Sequence, residues 1–176
     1  MNILWQSKTA TVAEAFRVGP DQIPMNGGNA YDVQAAIALK NHFSIAIDPV
    51  TIRGKENVLA YWWKMSRHKA KADLLILEPF PIVYGRRLPG QRSIAMIHHI
   101  DPVNRSSSRY HRWYFDRLIR RTKSCDCVVT VSRYWQDYFI TQGCNKVEVI
   151  YNAFDPEPYR TPGFDARAFR VRHGLP

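Results

Sequence analysis

Short apolar runs alternate with longer amphipathic segments along this chain of 176 residues. Continuous apolar runs are typical of parallel strands covered on both faces, and three of them predict strands at 73–77, 93–98 and 127–131. Three weaker runs predict further strands at 2–6, 42–47 and 146–150. Between them, apolar residues recur at the spacing of one helix face, which predicts helices at 30–40, 57–71, 106–123, 134–141 and 165–173.

The alternation of strands with helices predicts an α/β fold with a doubly wound, mainly parallel sheet and helices on both faces. A chain of this length can form one domain with a sizeable core. We expect that domain at 1–155, followed by a hinge or tail at 156–176.

Small polar residues follow the ends of two neighbouring predicted strands. Ser132 comes directly after the strand at 127–131, and Asn152 closely follows the strand at 146–150. In open α/β sheets, ligands bind at the carboxyl ends of the strands. The pattern therefore predicts a ligand site at this edge of the sheet.

A pair of glycines, Gly27 and Gly28, precedes the predicted helix at 30–40. Glycines let a backbone approach a ligand closely, and a helix N-terminus presents free N–H groups and a positive dipole. This arrangement predicts phosphate binding, although a glycine pair is also ordinary turn chemistry. The second predicted strand does not end in an acidic residue, which argues against a dinucleotide site.

Two histidines and an aspartate, His98, His99 and Asp101, lie at and just after the end of the strand at 93–98. Alternation along a strand places the two imidazoles on opposite sides, so we expect one to be packed and one presented. A general base or a donor to a ligand oxygen fits this position. No further His or carboxylate has metal-ligand spacing, so no metal is expected, but a metal-dependent phosphoesterase using these three residues remains an alternative.

The formal net charge is +10 and the pI about 9.8, which implies anionic partners. The basic helix at 106–123 forms one positive surface, and Arg105 and Arg109 come soon enough after the histidines to meet a bound phosphate. A basic α/β nucleic-acid-binding domain is therefore a second alternative.

Indole rings alternate with cations in the predicted helix at 57–71. The pattern is typical of a helix at a membrane interface, of base stacking, or of ordinary packing with solvated lysines. The membrane-interface candidates are Trp62, Trp63, Lys64 and Arg67. No apolar run reaches the roughly 20 residues of a membrane span, and no secretory signal is visible. We expect a cytoplasmic protein with reduced thiols that can lie peripherally on the inner face of the membrane.

The order of several segments resembles the amino-terminal domain of GT-B glycosyltransferases of the GT4 type. The segments are Asn26-Gly27-Gly28 before a helix, 73–77, 97–101, 126–132 and 147–155. Ala153 stands where this family usually has Gly, which is a mild departure because Ala still permits close packing. The resemblance implies a Rossmann-like domain that forms one half of a GT-B fold.

The resemblance also implies a reaction, namely sugar transfer from a nucleotide-diphospho-sugar to a sugar or lipid-linked acceptor in polysaccharide or glycoconjugate synthesis. Gly27 or Gly28 would meet the donor diphosphate, and His98 or His99 would contact the transferred sugar. This half would mainly shape the acceptor site, for which the candidate residues are Asp101, Arg105, Arg109 and Ser132.

The partners that follow from the resemblance are the donor, the acceptor and a second, C-terminal Rossmann domain in the same or a separate chain. No cofactor is expected, because the nucleotide sugar is a substrate. Since the cleft between two domains orients the donor, we expect this chain to be inactive without that second domain. An anionic membrane surface is a further expected partner, and nucleic acid is not.

Overall fold

The computed structural model describes residues 1–7, 11–19, 22–23, 27–43, 46–47, 50–51, 59–60, 63, 72–85, 90–100, 108–151 and 165–174. Within these residues, seven strands form one sheet in which every pairing is parallel. The strands are β1 (Asn2–Ser7), β2 (Ala46–Ile47), β3 (Val50–Thr51), β4 (Leu74–Leu77), β5 (Arg92–Met96), β6 (Cys127–Thr130) and β7 (Val147–Val149).

Six helices accompany these strands in the described part of the chain. They are α1 (Thr11–Val18), α2 (Gly27–Phe43), α3 (Pro79–Tyr84), α4 (Arg109–Thr122), α5 (Arg133–Thr141) and α6 (Ala166–His173). None of the described helices has both the length and the apolar character that crossing a membrane requires.

The strand order is β2-β1-β4-β5-β6-β7, and β3 also pairs with β1. Because β4 pairs with β1 along Ile3 to Gln6, β2 and β3 follow the other edge of β1. The chain therefore builds outward from β1 in both directions, and right-handed crossovers then place helices on opposite faces. This confirms the predicted doubly wound, parallel α/β fold and sets its switch point between β1 and β4.

Alternating side chains of the strands feed two separate cores. On β4, Leu75 and Leu77 pack with the α3–α5 side, in a cluster that includes Leu118 and Phe139. The intervening Ile76 packs with Trp5 and with the α1–α2 side. The period of two along a strand thus covers both faces of the sheet, as a continuous apolar run predicts.

Polar caps fix where the later helices begin. The Ser108 hydroxyl accepts a hydrogen bond from the backbone N–H of His111 at 3.1 Å, and Asp165 accepts from Arg167 and Ala168 at the start of α6. At the other end of α5, Gly143 has a φ of 88°, a left-handed conformation that favours glycine and turns the chain toward β7. Local chemistry therefore orients the helices relative to the edge from which they start.

Several sequence predictions need correction, and neither helix α1 nor strand β3 was predicted at all. The helix predicted at 30–40 is α2, and it begins earlier, at Gly27. Both glycines are therefore its first residues and not a loop before it. The same helix continues to Phe43, which shortens the strand predicted at 42–47 to Ala46–Ile47. The helix α3 was missed because two prolines at 79 and 81 indicated only a strand end, whereas proline is well tolerated in a first helical turn.

Candidate active site at the carboxyl edge of the sheet

The carboxyl ends of β1, β4, β5 and β6 meet at one edge because the strands are parallel. This edge lies beside the switch point, the usual ligand-binding position of open α/β sheets. The polar side chains at or beside it belong to Gln6, Ser7, Asp32, Glu78, His98 and Ser132.

His98, just after β5, is held by a carboxylate from α2. Its Nε2 lies 2.8 Å from Oδ1 of Asp32, and the two side chains are 17% and 9% exposed. The ring of Tyr31 meets the imidazole edge-on, with centroids 4.6 Å apart. Burial, followed by the charge of Asp32, raises the pKa of Tyr31, so this phenol stays neutral. The imidazole is therefore oriented by both neighbours.

The bond to Asp32 leaves the other ring nitrogen available. When Asp32 is ionised, Nε2–H donates to it, and Nδ1 of a neutral ring keeps its lone pair. Within the described residues, no other group bonds to Nδ1 of His98. Such a nitrogen can accept a proton or a hydrogen bond from a ligand hydroxyl.

The adjacent His99 is exposed, while His98 is partly buried. The prediction that one imidazole is packed and the other presented agrees with this arrangement. Sequence alone did not identify which imidazole was the packed one. Asp32, which decides it, was not among the predicted site residues because it lies 66 positions away in the chain.

A second polar cluster lies between β1 and β4. The buried carboxyl of Glu78 accepts hydrogen bonds from Ser7 Oγ at 2.6 Å and from Trp5 Nε1 at 3.3 Å. Sequence reasoning missed this cluster, although an acidic residue directly after an apolar strand was a visible signal. It joins the two strands of the switch point at their carboxyl ends.

Two further buried polar groups at the strand ends have no hydrogen-bond partner among the described residues. Gln6 is fully buried, and neither its amide nitrogen nor its amide oxygen is bonded. The hydroxyl of Thr130, at the end of β6, is also buried and unbonded. Unpaired buried polar groups are rare in native proteins, so the edge contains more polarity than its internal contacts use.

Gly27 and Gly28 are the first residues of α2, and no acidic residue lies in that first turn. The free N–H groups and the positive end of the helix dipole are therefore not compensated by a carboxylate within the turn. Phosphate binding at this position is still a prediction.

The other predicted site residues have mixed outcomes. Ser132 is the N-cap of α5, where its hydroxyl accepts from the backbone N–H of Trp135 at 3.4 Å. Arg109 is the exposed first residue of α4. Trp63 is helical and 61% exposed. The remaining candidates lie outside the described residues, namely Asp101, Arg105, Trp62, Lys64 and Arg67.

The basic helix is less free than its sequence suggested. The Arg117 side chain donates to the Val83 carbonyl at 2.9 Å, and that of Arg121 donates to the carbonyls of Ile82 and Gly85. These two arginines thus bind the end of α3, where the helix dipole is negative. The predicted positive surface is restricted to the outward-facing arginines.

The three cysteines are free thiols, and burial raises the pKa of Cys127 and Cys144. Among the residues that the structure describes, no three His, Cys, Asp or Glu side chains converge on one point. Asp101, which the phosphoesterase alternative requires, is outside them.

A doubly wound sheet with a polar carboxyl edge at its switch point defines a ligand-binding α/β domain of the Rossmann-like class. A family model described as Glycosyltransferase Family 4 matches residues 26–158, well over half of the chain. The chain belongs to this glycosyltransferase family, which confirms the resemblance found in the sequence.

Among solved structures, the chain is similar to a UDP-glucosyltransferase from Polygonum tinctorium, described as capable of glucosylating indoxyl and solved with 3,4-dichloroaniline. The identity is 10% and the TM-score 0.46, over 99% of this chain and 57% of that one. The chain therefore spans little more than half the length of that structure. No curated protein matches the sequence.

Proposed function

We propose that this chain forms the acceptor-side half of a GT-B glycosyltransferase that transfers a sugar from a nucleotide-diphospho-sugar to a sugar or lipid-linked acceptor. Membership of Glycosyltransferase Family 4 supports glycosyl transfer over the nucleic-acid and phosphoesterase alternatives. The observation that carries the site is the 2.8 Å bond between His98 and Asp32. It holds an imidazole at the ligand edge with one nitrogen available.

One helix connects the two ends of the proposed donor site. Gly27 begins α2, and Asp32 follows five residues later, about 7.5 Å along the helix axis. A diphosphate at the N–H groups of Gly27 and Gly28 would place the attached sugar toward His98. Asp32 fixes His98 to the same helix that begins with Gly27. The distance between the phosphate contacts at the glycines and the sugar contact at His98 is therefore constant.

On this proposal, His98 hydrogen-bonds the transferred sugar through Nδ1, and Asp32 is a positioning residue. The acceptor is bound by residues that follow the neighbouring strands, namely Asp101, Arg105, Arg109 and Ser132. Ser132 can do so with the lone pair that its capping bond leaves unused. The domain occupies 1–155, and the residues from 156 lead toward the hinge.

The described edge supplies one wall of a cleft, and orienting a donor needs the opposite wall as well. We therefore include a second Rossmann-like domain, in the same or a separate chain, and little transfer by this half alone. The net charge of +10 supports a peripheral position on the anionic inner face of the membrane in the cytoplasm.

The test uses the complete enzyme with a panel of nucleotide sugars, and it follows nucleoside diphosphate release. His98→Ala is expected to lower the rate about 100-fold to 1000-fold, the order of loss that follows removal of one preorganised hydrogen-bonding group from an active site. Asp32→Asn is expected to lower it less than His98→Ala does, because the imidazole remains but loses its anionic partner. His173→Ala, on exposed α6, serves as the matched histidine control.

His99→Ala distinguishes the contribution of His99 to the rate from that of His98. A larger loss of rate with His99→Ala than with His98→Ala would reject the assignment of His98. Unchanged rates in both variants would reject this edge as the site of transfer, whatever the donor.

A further inference from the structure

Aromatic and basic side chains form an exposed surface on α3 and α4, on the face of the sheet opposite α2. We define the aromatic–arginine face as Tyr84, Arg109, Tyr110, Arg112 and Trp113. Tyr110 is 56% exposed and Trp113 46%, and both arginines are exposed. Large aromatic rings in adjacent solvent-exposed positions mark interaction surfaces more often than scattered single apolar residues do.

The rings of this face are packed on one another. The hydroxyls of Tyr84 and Tyr110 lie 2.5 Å apart, and the ring of Trp113 is 6.0 Å from each of the two tyrosine rings. The guanidinium of Arg117 lies 5.6 Å from the Trp113 ring centroid. The face is therefore organised before any partner binds, which lowers the entropy lost on association.

The face also lies near the candidate site. Both α3 and α4 start from the carboxyl ends of the strands that precede them, β4 and β5. Arg109 is the first residue of α4, so this end of the face is close to the ligand edge. A partner that covers the face would thus lie alongside the acceptor side of the cleft.

We propose that the aromatic–arginine face docks onto an anionic lipid bilayer, with Tyr110 and Trp113 at the headgroup level and Arg109 and Arg112 on lipid phosphates. Trp and Tyr favour this level because their rings are apolar and their polar atoms remain wet. Arginines near an anionic leaflet add electrostatic attraction. The first turn of α4 holds no acidic residue, and the only acidic residue of this helix is Asp116, one turn further on.

The same observations disfavour a nucleic acid on this face. Bases stack on parallel, open ring faces, whereas the neighbouring rings of this face are tilted by 32° to 52° with centroids 6.0 Å apart. Burial raises the pKa of the neighbouring Tyr114 to about 12, so its phenol also stays neutral near the membrane.

The docking proposal rests on the proposed function in one respect, which is that the bilayer would carry a lipid-linked acceptor.

The charge test measures co-sedimentation of the full-length protein with vesicles that contain phosphatidylglycerol and with vesicles of phosphatidylcholine alone. Arg109→Gln with Arg112→Gln is expected to weaken partitioning to the anionic vesicles about 30-fold, roughly fivefold for each arginine. Arg92→Gln with Lys146→Gln is the charge-matched control, because both residues are exposed at the opposite, amino edge of the sheet. Equal losses in both pairs, or none, would overturn the proposal.

The aromatic test uses tryptophan fluorescence with the same vesicles. Binding is expected to shift the emission to the blue, and Trp113→Phe is expected to remove most of that shift. A shift that persists in Trp113→Phe and disappears when Trp62 and Trp63 are replaced would assign docking to the other segment. Displacement of the vesicles by a single-stranded oligonucleotide at low concentration would identify nucleic acid as the partner. No sugar donor is present, so transferase failure and docking failure are separate results.

Discussion

Two carboxyl side chains lie at the carboxyl edge of the sheet, and they are held in different ways. Glu78 accepts from the indole N–H of Trp5, which can only donate, and from the hydroxyl of Ser7, and both belong to the adjacent strand β1. Asp32 instead bonds an imidazole, which has a second nitrogen that can react. The difference teaches that a polar cluster at a ligand edge is a site candidate only when one of its members keeps an unused functional atom.

Asp32 and Glu78 are both buried, but their hydrogen-bond partners differ in burial. The side chains of Trp5 and Ser7 are fully buried, so the hydrogen bonds to Glu78 cannot be replaced by water without local opening. His98 keeps a side-chain exposure of 17%, enough for contact with solvent or a ligand. We therefore assign Glu78 to the stability of the switch point and Asp32 to the orientation of the site.

The largest expected effect on stability is that of Glu78→Ala. The change removes the acceptor of two buried donors, so we expect the free energy of unfolding to fall by about 4 kcal/mol. Urea denaturation at neutral pH measures this loss. Glu78→Gln is the matched control, because it keeps one carbonyl acceptor and should lose less. A loss below about 1 kcal/mol for Glu78→Ala would contradict the assignment of Glu78 as a structural anchor.

Asp32→Ala is expected to have a smaller effect on stability. One partly exposed hydrogen bond is lost and water can replace it, so the free energy of unfolding should fall by about 1.5 kcal/mol. The same urea experiment, combined with His98→Ala in a double-mutant cycle, isolates the coupling between the two side chains. If Asp32→Ala were as destabilising as Glu78→Ala, both carboxylates would be structural anchors. The assignment of Asp32 to the orientation of the site would then be wrong.

The sequence predicted the fold and only part of the site, for a physical reason. Apolar runs such as Leu74–Leu77 specify buried parallel strands locally. The position of Ser132 after its strand is also visible in its own segment, although its capping role was not predicted. The partner of His98 depends on how α2 packs over β5, which no local pattern encodes. The bond between Trp5 and Glu78 spans 73 positions and likewise follows from the pairing of β1 with β4.

The smallest effect should have the opposite sign and concerns Gln6, beside the Glu78 cluster. In the part of the chain that the structure describes, both polar atoms of its fully buried amide lack a hydrogen-bond partner. Gln6→Met keeps the length of the side chain and removes these atoms, so we expect the free energy of unfolding to rise by about 1 kcal/mol. Gln6→Ala is the control for volume, because it should destabilise the protein by leaving a cavity.

The sign of the Gln6→Met effect decides whether Gln6 is a buried group of the core or a residue of the candidate site. A gain in stability means that the amide is an uncompensated polar group in the core. A loss would mean that water or a ligand bonds the amide in solution, since a buried amide contributes to stability only when it is paired. Gln6 would then join His98 as a residue with functional atoms in use, and a dependence of its effect on added nucleotide sugar would distinguish ligand from water.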